Sequence, residues 1–377
     1  MNKTTIEWTD YSWPIVNGCR RISPGCGGPA HKGGCYAERL IATRLRKQPK
    51  YEGLATFDDK GPHWTGKSRL WVPDLDAPAA VKTPSKVFVA DMGDLFFEAV
   101  STAEIMAVFA VMAMTPWHSY QVLTKRPERM RAIISHLAKV DPEDAVGACV
   151  AALFDVHPTS TVGSSKTTKP ALAAYARMGL PYDRCYWPLP NVWLGVSVED
   201  QQRADERIPE LLQTPAALRF LSCEPLLEPI HLRNLQANDP PVEIDALAGT
   251  HGFNRPHLGQ NNAIDWVIAG GESGPGARAC DVDWLRALVR QCRGAGVPIF
   301  VKQLGTFVRW DGISTSAEPW KPARFKPIDG FVRVELVDRK GGDPSEWPKD
   351  LRRREFPAPS ATWPALRKAL AAVDERP

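Results

Sequence analysis

From Lys86 onward, apolar and polar positions alternate in blocks. Val87 to Ala90 is a short apolar run that predicts a buried strand, and Ser101 with Glu104 gives a capping-box pattern ahead of an apolar helix over Ile105 to Met114. Tyr120 to Leu123 predicts the next strand. Pro127 suits the first turn of a helix running to about Val140, because its missing N–H would be unpaired there in any case. Further strands are predicted at 192–198, 218–222, 264–269 and 298–301, with helices near 201–213 and 282–294. Short apolar strands that alternate with helices imply a parallel sheet.

Two stretches break this rhythm. Residues 141–190 contain the polar run HPTSTVGSSKTTKP, which predicts a flexible insertion, and residues 231–262 predict a second one. Ahead of the rhythmic region, Tyr36 to Lys47 carries Leu40, Ile41 and Leu45 at helical spacing and predicts a first helix. Residues 48–83, rich in Pro, Gly and Trp, predict a long connection. After Gly305 come a hairpin-like stretch, Arg352 to Arg354, and a closing helix near Ala361 to Val373. The division expected is one decorated domain over 1–305 and a C-terminal extension over 306–377.

Composition narrows the class. A chain of 377 residues can bury a sizeable core, and no apolar run approaches the length of a membrane span, nor does the N-terminus read as a signal peptide. A soluble, cytoplasmic protein is expected, with oligomeric state left open. The net charge is only +4, so nucleic-acid binding cannot be argued from overall charge; the 13 Trp suit base stacking but more often pack. Eight cysteines in a chain of this length favour metal or redox use over a disulfide framework.

Three of these cysteines, Cys19, Cys26 and Cys35, fall within seventeen residues rich in Gly and Pro. Soft thiolates select zinc, copper(I) or iron–sulfur clusters, and three protein ligands leave a coordination position open. A structural zinc site with His31 as fourth ligand is the alternative, although gaps of six and eight residues miss the usual zinc knuckle.

The motifs IEWTDYSWPIVNGCRRISPGC, CYAERL, VFVADMGDLF, YQVLTKRPERM, NVWLGVSVEDQ, RFLSCEPLLEPI, DWVIAGGESG and PIFVKQLG follow one another in this chain. In that order they resemble a phage-associated three-cysteine family of unknown function. That family is similar to a branch of the radical S-adenosylmethionine (SAM) superfamily, related in pattern to spore photoproduct lyase. The resemblance implies a partial TIM-type (β/α) barrel of parallel strands. It also implies a 4Fe–4S cluster on Cys19, Cys26 and Cys35, whose open iron takes SAM and, once reduced by an electron donor, yields a 5'-deoxyadenosyl radical. The branch commonly reads C-x6-C-x2-C; here the second gap is longer, and its glycines allow an excursion that returns Cys35 to the site. Family analogy also implies a nucleic acid substrate, for base repair or hypermodification. The alternative function is a zinc-stabilised nucleic-acid-binding protein without catalysis.

In such barrels reactive groups gather where strands end. The polar residues there are Asp91 and Asp94, Thr124 to Arg126, Ser197 and Glu199, Cys223 and Glu224, Gly270 to Ser273, and Lys302 with Gln303. Asp94 is expected to orient the methionine end or ribose of the cofactor, with Asp91, Ser197 and Glu199 beside it. Gly270, Gly271 and Glu272 are expected to bring backbone close to adenosine. No G-x-G-x-x-G follows a strand, which argues against a dinucleotide fingerprint. Lys125, Glu224 and Cys223 are the catalytic candidates. Cys223 reads either as a hydrogen-atom donor to a product radical or as a buried thiol that packs. Arg39, Arg44, Lys67, Arg69 and Arg126 are the expected phosphate contacts.

Overall fold

The computed structural model describes residues 1–27, 35–163, 165–178, 180–181, 184–238, 241–251, 262–311, 320, 324–328 and 330–357. The expected closing helix at 361–373 lies outside them. Among the described residues no helix is long and apolar enough to cross a membrane.

The centre is an eight-stranded sheet curled into a half-barrel. Its strands are β1 (Asn2–Lys3), β2 (Tyr11–Trp13), β3 (Lys86–Val89), β4 (Ser119–Thr124), β5 (Val192–Ser197), β6 (Leu218–Cys223), β7 (Trp266–Gly270) and β8 (Ile299–Gln303). They lie side by side in strict chain order, with β1 antiparallel to β2 and every later pair parallel. Strand β2 went unread in the sequence because three residues are too few to establish a period. A connection covers the exposed edge of β8: Val301 N–H donates to Arg353 O at 2.7 Å, and Phe300 bridges to Arg354.

Besides a single turn at Ala77–Ala80, the α-helices among the described residues are α1 (Tyr36–Ala42), α2 (Thr102–Met114), α3 (Pro127–Leu137), α4 (Pro142–Val156), α5 (Ser165–Met178), α6 (Gln201–Gln213) and α7 (Val282–Ala295). The capping box ahead of α2 is complete: Glu104 N–H donates to Ser101 Oγ at 3.2 Å and Ser101 N–H donates to Glu104 Oε2 at 2.7 Å. Residues 141–190, expected as a flexible insertion, form α4 and α5. The physical reason is that Ala145, Val146, Cys149, Ala152 and Leu153 give α4 a buried apolar stripe, which a reading focused on the adjacent polar run overlooked. Within 231–262 the chain forms a small antiparallel sheet from Leu235–Asn238, Pro241–Asp245 and Thr250–His251.

Alternation along the strands separates two cores. Val87, Val89, Val122, Leu194, Val196, Leu221, Val267 and Val301 join the core packed against the helices. Phe88, Leu123, Trp193, Phe220, Trp266 and Phe300 join Ile6 and Trp8 in a second, aromatic cluster on the other face. Trp8 stands edge-on to Phe88 with centroids 4.8 Å apart, and Trp193 edge-on to Trp266 at 6.0 Å. These tryptophans are packed anchors, and Trp8 also lines the cavity described next.

Candidate functional site

A cavity of about 310 Å³ opens at the carboxyl edge of the sheet. Its wall includes Cys19, Cys26 and Cys35 on one side, Trp8, Phe88 and Leu123 below, and the strand-end residues Asp91, Asp94, Lys125, Ser197, Glu224, Gly271, Glu272 and Lys302 around it. All eight cysteines are free thiols; none of the other five lines this cavity.

The cysteine loop is tied to successive strand ends. After β4, the buried Arg126 donates from Nη2 to Arg20 O at 3.1 Å and from Nη1 toward Cys19 Sγ at 3.5 Å. After β5, Glu199 accepts from Gly25 N–H at 3.0 Å. After β7, Arg278 donates to Pro24 O at 2.7 Å. The helix that follows contributes as well, since Glu38 of α1 pairs with Arg21 and accepts from Trp64 N–H at 2.8 Å.

Three of the predicted carboxylates hold these anchors; Asp94 and Glu272 also line the cavity, and Glu199 does not. Asp94 accepts from Phe96 N–H at 2.9 Å, Thr124 Oγ1 at 2.7 Å, Lys125 N–H at 3.1 Å and Arg126 Nη1 at 3.0 Å. Glu199 is fully buried, with Arg207 Nη1 at 3.0 Å and Lys125 Nζ at 3.7 Å from Oε2. Burial alone would raise its pKa, but the two cations and the hydrogen bonds from Ser23 and Gly25 outweigh that and hold it at about 2. Glu272 grips Arg278 in bidentate fashion, at 2.8 and 3.0 Å.

Two other acids are under-satisfied. Asp91 and Glu224 each line the cavity; Asp91 Oδ1 is buried without a hydrogen-bond partner, and Glu224 Oε1 is buried with only the Lys302 ammonium beside it. Burial pushes Asp91 up to about 6, against the lowering effects of Ser12 and its own backbone N–H. Glu224 lies 3.2 Å from Lys302 Nζ.

Several expectations change. Cys223 is fully buried in the helix-side core together with Cys292 of α7 and does not line the cavity, because strand alternation turns residue 222 inward and 223 outward. Gly270 is not part of the wall either; its missing side chain makes room for Glu224, since a Cβ there would stand 2.8 Å from Oε1. Gly271 lines the cavity, but a Cβ there would meet Leu304 O at 2.2 Å, so its smallness also serves the packing of β7 on the chain after β8. Arg126 is buried and engaged with Asp94 and Glu98, which removes it from the phosphate contacts. Arg39 lines the cavity, Arg44 and Lys67 are exposed, and Arg69 donates to Pro49 O at 2.6 Å.

Sequence reasoning missed Arg207 and Arg278 as anchors and Ile6 and Trp8 as cavity residues. The arginines lie in no recognisable spacing; Ile6 and Trp8 stood in the first quoted motif and could have been weighed there.

Among the described residues no three Cys, His, Asp or Glu side chains stand close enough together to hold a metal ion as they are. His31 lies outside the described residues, as does all of 28–34. The donor set itself suits a thiophilic centre. Cys35 N–H donates to Cys26 O at 3.3 Å. Burial pushes the Cys35 thiol up to about 11 and raises Cys19 as well, so both are protonated until a metal displaces the proton.

The chain belongs to the DUF5131 family: the family described as protein of unknown function (DUF5131) matches residues 3–342. No curated protein and no solved structure matches the chain.

Proposed function

We propose that this protein is a radical SAM-type enzyme, built on a partial TIM-type barrel, that acts on a base of nucleic acid in repair or hypermodification. The observation that carries the reading is that Cys19, Cys26 and Cys35, alone among eight cysteines, line one cavity at the carboxyl edge of a parallel half-barrel. Cys19, Cys26 and Cys35 would hold a 4Fe–4S cluster there, and that cluster, reduced by an external electron donor, would supply the one-electron reductive cleavage of SAM.

The chain's own residues divide the remaining work. The three thiolates hold the cluster, and the Arg126 guanidinium offers positive charge beside the Cys19 sulfur. Asp94, Glu199 and Glu272 act as positioning residues, because their oxygens are engaged in fixing the loop and its anchors. Asp91, Ser197 and Lys125 remain as the groups that would meet the polar parts of the cofactor, with Gly271 as close backbone. Glu224 would bind a polar group of the substrate. Arg39, Arg44 and Lys67 would steer a phosphate backbone toward the mouth. A reducing, cytoplasmic setting and an electron-donor partner suit such a centre.

The test is anaerobic purification and reconstitution, followed by iron and sulfide assay, a visible spectrum, and measurement of 5'-deoxyadenosine after reduction. About four iron and four sulfide per chain, with SAM cleavage, are expected. Stoichiometric zinc with no iron would overturn the reading and leave a zinc-stabilised binding protein.

A further inference from the structure

The Glu224–Lys302 pair is unlike the other charged pairs of the cavity. Glu224 follows β6 and Lys302 belongs to β8, so the pair, 3.2 Å apart, reaches across the intervening strand β7. Gly270 at the end of β7 permits this, since a Cβ there would come within 2.8 Å of Glu224 Oε1. The pair braces no loop. Arg126–Asp94, Arg207–Glu199 and Arg278–Glu272 each fix the cysteine loop, directly or through a neighbour, and their carboxylates are filled with hydrogen bonds. Glu224 Oε1 is buried, ion-paired with Lys302 Nζ, and among the described residues accepts no further hydrogen bond.

The surroundings fit a flat ring. Trp8, Phe88 and Leu123 form an apolar wall of the same cavity, and Trp8, only 3% exposed, keeps an indole N–H without a partner. A buried donor left unmatched costs free energy that a ligand can recover, so the Trp8 N–H and a carboxylate held by a single ammonium, beside an apolar wall, mark where a ligand's polar edge belongs.

We propose that Glu224 and Lys302 read the pairing edge of a nucleobase. The carboxylate accepts a ring or exocyclic N–H, and the ammonium donates to the carbonyl oxygen or ring nitrogen next to it. Every nucleobase carries such a donor and acceptor side by side on the edge that pairs within a duplex. The base must therefore be unpaired when it enters, and the cost of unpairing selects for single-stranded, mismatched or damaged sites. This inference rests on the reading of the substrate as a nucleobase; it adds which edge is held, and by which residues.

The test uses the full-length protein and needs no cluster. The four nucleosides are titrated by equilibrium dialysis, and the tightest is compared with its counterpart methylated on the pairing edge, such as 3-methyluridine for uridine. Methylation removes the ring N–H of uridine or guanosine, or blocks the ring-nitrogen acceptor of cytidine or adenosine, and a loss of at least about tenfold in affinity is expected. In Glu224→Ala and Lys302→Ala the difference should shrink to within about twofold, with far-UV circular dichroism unchanged. A pair that merely joins β6 to β8 would instead lower stability and leave the methylation effect intact. Equal affinity of the wild-type protein for the methylated and unmethylated nucleoside overturns the proposal without any variant. So does the absence of binding by all four nucleosides at millimolar concentration. Iron content and SAM cleavage are measured separately, so loss of nucleoside discrimination with intact SAM cleavage rejects this inference alone, and discrimination without iron rejects only the proposed cofactor.

Discussion

Gly25 donates its backbone N–H to Glu199 Oε1 at 3.0 Å, and a Cβ added at Gly25 would stand 2.8 Å from the Glu199 carboxyl carbon. The carboxylate cannot retreat, because Arg207 and Lys125 hold its other oxygen. Contact between a loop that carries two of the three cysteines and the end of β5 therefore depends on the absence of a side chain at one position.

Gly25→Ala is accordingly expected to destabilise the fold by about 1–3 kcal/mol through overpacking and to lower iron incorporation. Chemical denaturation and the iron content of the reconstituted protein check this. A variant with wild-type stability and full iron would show that the loop can dock without the close approach.

Glu199 gives stability a defined acid limit. Its folded pKa of about 2 lies below its ordinary 4.5, so the folded state favours the charged form. That contribution is complete above about pH 4.5 and is lost as pH falls through 2. Glu199→Gln leaves Arg207 and Lys125 without their counter-charge and should cost about 3 kcal/mol at pH 7. Urea unfolding at pH 7 and at pH 3 should show the gap between wild type and variant narrowing at the lower pH; a constant gap would remove the ionised carboxylate as its source.

The cysteines should separate into two groups. Cys19→Ala, Cys26→Ala and Cys35→Ala are each expected to reduce iron occupancy and 5'-deoxyadenosine formation severely. Cys223→Ala and Cys292→Ala should retain both and lose only about 1–2 kcal/mol of stability, since these thiols sit in the helix-side core. Iron and sulfide assays with thermal melts decide between the groups, and iron loss in Cys223→Ala at unchanged stability would place its role elsewhere.

Nucleic-acid affinity should respond to Arg44 and Lys67, which are exposed, and to Arg39 in the cavity wall. Replacing each by Ala should weaken binding alike across sequences and reduce the slope of log affinity against log salt by about 0.7 per phosphate contact with a single strand. Arg126→Ala should instead impair folding and iron binding, because its partners are Asp94, Glu98 and the Cys19 region. Unchanged salt slopes in all three variants would direct the search to another face.

The sequence by itself determined the strands and helices of the regular region from Lys86 to Val301 outside 141–190 and 231–262, the parallel sheet, the three-cysteine loop and the gathering of polar residues at strand ends. Each of these is local: alternation, helical spacing, a capping box and turn residues are set by neighbours a few positions apart. Only the tertiary structure decided what the polar residues do. Asp94 and Asp91 follow the same strand three residues apart, yet one is saturated by Thr124, Lys125 and Arg126 and the other keeps a buried oxygen unpaired. Cys223 and Glu224 are neighbours in sequence, but one packs against α7 and the other lines the cavity. Arg278 reaches Pro24 across 254 positions of chain. Such pairings depend on which strand ends the curled sheet brings together and on which face each side chain emerges. Those are properties of the folded half-barrel, and no window of sequence contains them.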